Sequence, residues 1–386
     1  MNRHGANDLK MLQSLPLEAK IQMTKERIRA WHESWTRFEI QNLDTGKSRF
    51  VTWDTRKSFE PPTKDNEWIK AGWPGAVYVS FSGGKDSTVL KHIVDSMYED
   101  VPALFVNTGL EYPEIQRFAK AQKNVVIVRP EMRFDEVLTK FGYPVIGKEV
   151  AQTVYEGKKH LSEGRHTRQV QKLNGELVDN SGNPSRFNIG KYKYLVNAPF
   201  DVSHMCCSVM KKKPVKIYEK ETGRRAIIGT LACESSLRRT AWMKNGCNSF
   251  EGDRPKSQPL SFWTEQDVLH YIKKFNVPYC SVYGDIRVKP TGDQEEGQIN
   301  LIDYLECYES EDTLETTGCD RTGCIFCMFG CHLEKEPNRF QRLKETHPRQ
   351  YEYCINGGEM VDGKWQPNKE GLGLGKVLDY IGVKYD

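Results

Sequence analysis

Apolar residues recur near helical spacing across residues 17–38 (Ile21, Ile28, Trp31, Trp35), which predicts a charged amphipathic helix. Two short apolar runs follow, 38–40 and 49–53. Asp44-Thr45-Gly46 lies between them, so they predict a hairpin. From residue 76 the pattern changes. Residues 76–81, 103–106, 124–128 and 226–229 are short runs rich in strand formers. Residues 88–97, 113–122, 134–141 and 264–275 carry helical stripes. Strand and helix alternating at this spacing predict an α/β fold, an open parallel sheet of Rossmann-like type with helices on both faces.

Length and composition constrain the picture further. The chain has 386 residues, 38% hydrophobic and 28% charged, long enough for a large core with additions. The expected organisation is an N-terminal helical and hairpin extension (1–70), a nucleotide-binding domain (71–290) and a cysteine-bearing C-terminal portion (291–386). No apolar run approaches a membrane span, and the first residues lack an apolar signal core, so the expected state is soluble and cytoplasmic, without membrane association. In a reducing compartment, eleven cysteines point to metal or redox chemistry, not a disulfide framework.

Charge is unevenly spread. Residues 155–225 hold 15 Lys/Arg against 7 Asp/Glu, whereas 292–316 hold nine acids and no Lys/Arg. The acidic run reads as a solvated surface. The basic one, interleaved with Phe187, Tyr192 and Tyr194, suits anion binding and makes nucleic acid a candidate partner.

Ser82-Gly83-Gly84-Lys85-Asp86-Ser87 sits between a predicted strand and a predicted helix. Its glycines allow close backbone approach, and the helix start presents unpaired N–H groups, so it forms an anion cradle. Ser82 and Ser87 add hydroxyls and Lys85 a cation, while Asp86 suits a cap or a Mg²⁺ ligand. Thr108 and Gly109 end the second strand, the edge where open α/β sheets bind ligands. Arg238 and Arg239 offer planar forks for phosphate or sulfate. Thr264 and Asp267 look structural, a near capping box.

The hexapeptide resembles the PP-loop signature of the adenine nucleotide alpha hydrolase-like superfamily. Asn107-Thr108-Gly109-Leu110-Glu111-Tyr112-Pro113-Glu114, the segment 229–239 ending in Arg238-Arg239, and Pro259-Leu260…Trp263-Thr264…Asp267-Val268 narrow the resemblance to the phosphoadenosine phosphosulfate (PAPS) reductase family, across about 75–330. It implies ATP or a related adenine nucleotide such as PAPS at Ser82–Ser87, Thr108 and Gly109, with Asp86, Arg238 and Arg239 as catalytic candidates.

Cys319, Cys324, Cys327 and Cys331 pack four thiols into a glycine-rich stretch, which suits zinc or an iron–sulfur cluster. The resemblance adds Cys206-Cys207, because iron–sulfur sulfonucleotide reductases carry a tandem pair and a later Gly-Cys-x-x-Cys, here 323–327. Three ligand sets follow: Cys206, Cys207, Cys324 and Cys327; the local quartet; and a mixed set of Cys207, Cys324, Cys327 and Cys331. The mixed set is favoured because adjacent cysteines are expected to point apart. The family implies [4Fe–4S], with Zn²⁺ as the alternative. Cysteines 233, 247, 280, 307 and 354 read as bystanders, Cys233 and Cys247 keeping a redox role in view beside the arginine loop.

Thioredoxin-dependent members of the family end in a mobile Glu-Cys-Gly segment. This sequence has no cysteine after Cys354, and the surroundings of Cys354 match poorly. The expectation is therefore ATP-dependent sulfur transfer through an adenylylated acceptor, with a sulfur donor such as a cysteine desulfurase. Reduction of a sulfonucleotide to sulfite is the alternative, and a nucleotide-sensing, nucleic-acid-binding protein with a structural metal the second alternative.

Overall fold

The computed structural model describes residues 4–57, 63–289 and 312–386. Cys307 and most of the acidic run lie outside them. The chain forms two compact units that interleave along the sequence. The first comprises Met1–Val106, Tyr112–Val128 and Lys216–Thr322; the second comprises Asn107–Glu111, Arg129–Val215 and Gly323–Asp386.

In the first unit, α1 (Ala6–Gln13) and α2 (Leu17–Glu33) lead into a three-stranded antiparallel sheet. Its strands are β1 (Trp35–Asn42), β2 (Ser48–Asp54) and β3 (Glu67–Pro74), with β1 central. The predicted hairpin is β1–β2, paired from Trp35 opposite Asp54 to Gln41 opposite Ser48. The helix predicted to residue 38 ends at Glu33, because Trp35 begins the central strand.

The main sheet contains β4 (Val77–Phe81), β5 (Ala103–Val106), β6 (Val125–Val128), β7 (Arg225–Ile228), β8 (Asn248–Ser249) and β9 (Lys256–Ser257). Its order is β6-β5-β4-β7-β9-β8, parallel throughout except for the β8–β9 pair at one edge. Helices α3 (Lys85–Asp95) and α4 (Pro113–Ala121) follow β4 and β5. Val89, Leu90, Ile93 and Val94 give α3 a wholly buried face, joined in one core by Val77, Val79, Phe81 and Ile227. Burial of each such side chain stabilises the unit by ~1.5–3 kcal/mol. Neighbours of β4 on its two sides come from different parts of the chain, so the strand order reverses there. The C-terminal ends of β4 and β7 therefore flank a switch-point crevice.

The second unit is mostly helical: α5 (Phe134–Phe141), α6 (Lys148–Ser162), α7 (Arg168–Asn174) and a 3₁₀ stretch, Gly190–Asn197. Next, α8 (Lys213–Thr222) runs from the second unit into the first, which also holds α9 (Ser236–Asn245), α10 (Glu265–Phe275) and the small ribbon of β10 (Ile286–Val288) with β11 (Leu314–Thr316). The chain ends in the second unit with α11 (Arg339–Thr346), α12 (Pro348–Ile355), the hairpin β12 (Glu359–Val361) with β13 (Lys364–Gln366), and α13 (Leu374–Tyr380). No described helix is long and apolar enough to cross a membrane.

The Thr264/Asp267 reading holds and extends. Thr264 Oγ1 accepts from the Asp267 amide, and the Asp267 carboxylate accepts from the Thr264 amide. That carboxylate also receives Lys20 Nζ of α2 at 2.7 Å, with Lys20 3% exposed. Breaking a buried pair leaves one uncompensated charge. Lys20→Met is expected to lower unfolding stability by about 3 kcal/mol, read from urea denaturation, with part of the loss recovered on adding Asp267→Asn. An unchanged urea midpoint would show that the pair contributes nothing net.

Candidate functional site

The loop after β4 is built as the sequence suggests, with the hydroxyls used differently. Gly83 has φ +73°, and a Cβ there would meet Ile115 Cγ2 at 2.9 Å, so glycine is required twice over. Gly84 is the N-cap of α3. Ser87 braces the turn from inside: its Oγ donates to the Gly84 carbonyl at 3.0 Å and accepts from the Ser82 amide at 3.2 Å. Ser82 Oγ lies 3.0 Å from Ser87 Oγ and accepts from the Gly84 amide at 3.3 Å. Opposite, β7 is followed by Gly229, where a Cβ would fall 2.9 Å from the Asp86 carbonyl. The two strand ends can approach this closely only without a side chain there.

Between them lies a cavity of 530 Å³ lined by Ser82, Gly84, Lys85, Asp86, Ser87, Gly229, Thr230, Cys233, Glu234, Arg238, Glu265, Tyr283, Asp320, Arg321 and Thr322, among others. Lys85 is buried, 2.9 Å from Glu265, with its ammonium 5.2 Å from the Tyr283 ring centroid. Glu234 takes both Arg238 and Arg321 as ion-pair partners. No cation among the described residues is in ion-pair contact with Asp86. Burial pushes its carboxyl pKa up against the opposing pull of Lys85 and Arg321. Burial also pushes Arg238 down and Cys233 up.

The structure thus brings together Ser82, Gly84, Lys85, Asp86, Ser87 and Arg238, with Gly83 in the same turn. Arg239 is exposed and does not line the cavity. Thr108 and Gly109 belong to the second unit, where the Thr108 amide and hydroxyl donate to Glu111 at 3.0 and 2.6 Å. Sequence reasoning missed Arg321, Glu234 and Glu265. Arg321 lies inside the cysteine-rich stretch, which was read for its thiols alone.

The ten described cysteines form no disulfide. Cys319 lies in the first unit, its amide donating to the Val282 carbonyl at 3.0 Å, whereas Cys206, Cys207, Cys324, Cys327 and Cys331 all lie in the second. The premise that adjacent cysteines point apart does not hold here. Cys206 and Cys207 open a helix that passes into a π turn, Ser208–Lys212, and their sulfurs are 3.9 Å apart. Successive side chains diverge to opposite faces in a strand but by only about 100° in a helix. Cys206 is held protonated by its S–H bond to Cys207 and by burial, with the charges of Cys207, Cys327 and Cys324 adding. Cys207, accepting that bond, is lowered to about 6, helped by Lys211, Lys148 and Lys212. Burial pushes Cys324 up to about 11 and also raises Cys327. Burial opposes the Lys211 charge, but Cys324, Glu111 and Cys207 outweigh it and hold its pKa above the ordinary value. The Cys331 thiol is buried and donates to the Met328 carbonyl at 3.0 Å. Arg339 clamps this segment, donating to the Cys327 carbonyl at 2.8 Å and pairing with Glu334.

Among the described residues, no three His, Cys, Asp or Glu side chains are gathered in a way that would hold a single metal ion. The donor set is soft, consisting of four thiols in electrostatic reach of one another beside a lysine. In type and number it suits an iron–sulfur cluster or zinc.

Comparison with known proteins places the chain in a family. The family model "Phosphoadenosine phosphosulfate reductase domain" matches residues 76–165 and 169–328, and the chain belongs to that family. An uncharacterised protein of Methanocaldococcus jannaschii is 36% identical over 73 residues, 18% of each chain, so this chain spans under a fifth of that relative. An adenosine 5'-phosphosulfate reductase of Staphylococcus haemolyticus is 23% identical over 279 residues, 70% of this chain and 86% of that protein. A crystal structure of PAPS reductase from Candida auris, a phosphate complex, is similar over 58% of this chain and 83% of its own, at 16% identity and a TM-score of 0.31.

Proposed function

We propose that this chain is an adenine-nucleotide-dependent enzyme of sulfur chemistry that binds ATP at the Ser82–Ser87 loop and activates an acceptor for sulfur transfer. The observation that carries the reading is Asp86. It is a carboxylate without an ion-pair partner among the described residues, set in the wall of the 530 Å³ cavity beside Lys85, Arg238 and Arg321. Alone it would repel phosphate, but with a divalent cation it becomes an anchor for a polyphosphate. A Mg²⁺ ion held there would neutralise charge on the triphosphate. The first-turn amides of α3 and the Lys85 ammonium hold the phosphates. Arg238 meets the α-phosphate, where charge develops. An acceptor oxygen attacks the α-phosphorus and pyrophosphate leaves. The terminal sulfur of a donor persulfide then attacks the acceptor's carbon, its carbon–oxygen bond breaks and AMP leaves; a second thiol of the donor attacks the disulfide so formed, which releases the thiolated acceptor and leaves the donor as a disulfide.

Cys206, Cys207, Cys324 and Cys327 are the proposed holders of an iron–sulfur cluster. The 3.9 Å approach of the Cys206 and Cys207 sulfurs supports including both members of the tandem pair. Such a cluster would supply a site for sulfur or electrons when bound.

Reduction of a sulfonucleotide to sulfite is the second reading, favoured by the likeness to the staphylococcal reductase and by the tandem cysteines. It needs a thiol that can reach the sulfonyl group. Cys354, the last thiol in the sequence, is 0% exposed, with its pKa pushed up by burial. That burial sets Cys354 aside, and the second reading would use Cys233, an exposed free thiol that lines the cavity. The readings separate in one experiment, in which cluster-loaded protein is incubated anaerobically with either ATP and candidate acceptors or adenosine phosphosulfate and thioredoxin. Pyrophosphate and AMP are expected from the first. Sulfite from the second, without pyrophosphate from the first, would reverse the order.

A further inference from the structure

We propose that the α6–α7 region of the second unit, together with the 3₁₀ stretch Gly190–Asn197, binds single-stranded nucleic acid through its phosphates and by stacking on its bases. This goes beyond the nucleotide chemistry above and does not depend on it.

Some cations of this unit are neutralised locally. Lys158 and Lys364 pair with Asp201, Lys172 with Glu149, and Lys213 with Glu131. Arg168, Arg186, Lys191 and Lys193 differ. All four are exposed, and among the described residues no carboxylate pairs with any of them. They sit on adjoining segments: the Ile189 amide donates to the Lys172 carbonyl of α7, tying the 3₁₀ stretch to that helix. Large aromatic rings share these segments. Phe187 and Tyr194 are each 41% exposed. The Arg186 guanidinium lies 5.0 Å from the Phe187 ring centroid, and Lys191 Nζ lies 4.8 Å from that of Tyr192.

Exposed rings are costly to leave in water. Unpaired cations beside exposed rings match a strand that offers a phosphate and an unstacked base at each step. A duplex satisfies only half of this pattern, because its bases are already stacked and its phosphates alone would be engaged. An acidic protein surface would meet the cations but offers no repeated π-face.

The test uses the full chain and fluorescence anisotropy with labelled oligothymidylate and oligouridylate of about 20 nucleotides, longer than the ~4–16 that comparable single-strand binders cover. Affinity is expected to fall steeply with salt. Replacing Arg186, Lys191 and Lys193 together by Ala should reduce the slope of log affinity against log salt by about 2, at ~0.7 per phosphate contact. Phe187→Ala with Tyr194→Ala should weaken binding about 30-fold or more at fixed salt and leave the slope unchanged. Three results would overturn the proposal: no binding at low salt, duplex bound as tightly as single strand, or the aromatic variant indistinguishable from wild type. Because every substituted side chain is exposed, circular dichroism should show an unchanged fold.

Discussion

Asp86→Asn is expected to lower ATP-dependent pyrophosphate release by on the order of 10²–10³-fold, the range seen when one preorganised electrostatic group is removed from a reacting centre. The substitution keeps the shape of a side chain whose backbone carbonyl packs against Gly229, so the turn should survive. It removes the more buried of the two cavity carboxylates, Asp86 and the exposed Asp320, that have no ion-pair partner among the described residues. Lys85 is paired with Glu265, and Arg238 and Arg321 share Glu234, so those carboxylates are engaged. Calorimetry distinguishes the role. Affinity for Mg·ATP should fall, while AMP, which needs no metal anchor, should bind as well as before or more tightly once the like charge is gone.

The pH dependence follows from the same group. The folded-state pKa of Asp86 is raised by burial above its ordinary 3.8, so the carboxylate is ionised only at higher pH than usual. Mg·ATP affinity should therefore decline on acidification, beginning at a pH above the normal carboxylate range, and the decline should be absent in Asp86→Asn. The sign for stability is the reverse of the usual aspartate case. A raised pKa means that ionising Asp86 opposes folding, so the apo protein should lose a little stability as pH rises through that value. If Asp86→Asn turned over ATP at the wild-type rate, the metal-anchor role would be wrong and the cavity would suit a sulfonucleotide bound without metal.

The parts of the fold legible in the sequence were those in which hydrophobicity and periodicity coincide. Ala103–Val106 and Phe134–Phe141 match their predicted runs to the residue, because each is a short apolar or amphipathic segment bounded by polar residues. Strand β3 was missed because it is largely exposed, with Trp68 and Trp73 facing outward, so no buried alternation marks it. The two-residue strands β8 and β9 carry too little pattern to be seen. In the nucleotide cavity, the glycine loop was legible because a backbone requirement selects a residue type. Arg321 and Glu234 were not, because their role depends on which distant segments meet in space. Interleaving of the units has the same origin: contact density, not composition, divides the chain.

Serine substitutions at Cys206, Cys207, Cys324 and Cys327 are each expected to abolish retention of iron and acid-labile sulfide in anaerobically purified protein. Cys331→Ser and Cys319→Ser should retain both. Thiolate is the ligand, and a serine hydroxyl is a far poorer donor to iron, so loss of one of four ligands leaves an open, labile position. Cys331 should behave differently because its S–H is already used on the Met328 carbonyl, a bond that a serine hydroxyl can reproduce. Cys319 belongs to the first unit and lies against the Val282 turn. Lys211 offers a second readout on the same centre. It is set among Cys324, Glu111 and Cys207, and its cation offsets thiolate charge. Lys211→Met should therefore retain iron but shift the reduction potential to more negative values, because a neighbouring positive charge stabilises the reduced, more anionic cluster. Iron lost from Cys331→Ser and kept in Cys206→Ser would move the assignment to Cys207, Cys324, Cys327 and Cys331. A colourless wild-type protein binding stoichiometric zinc would remove the redox role of the centre, leaving the nucleotide chemistry at Asp86 to be judged alone.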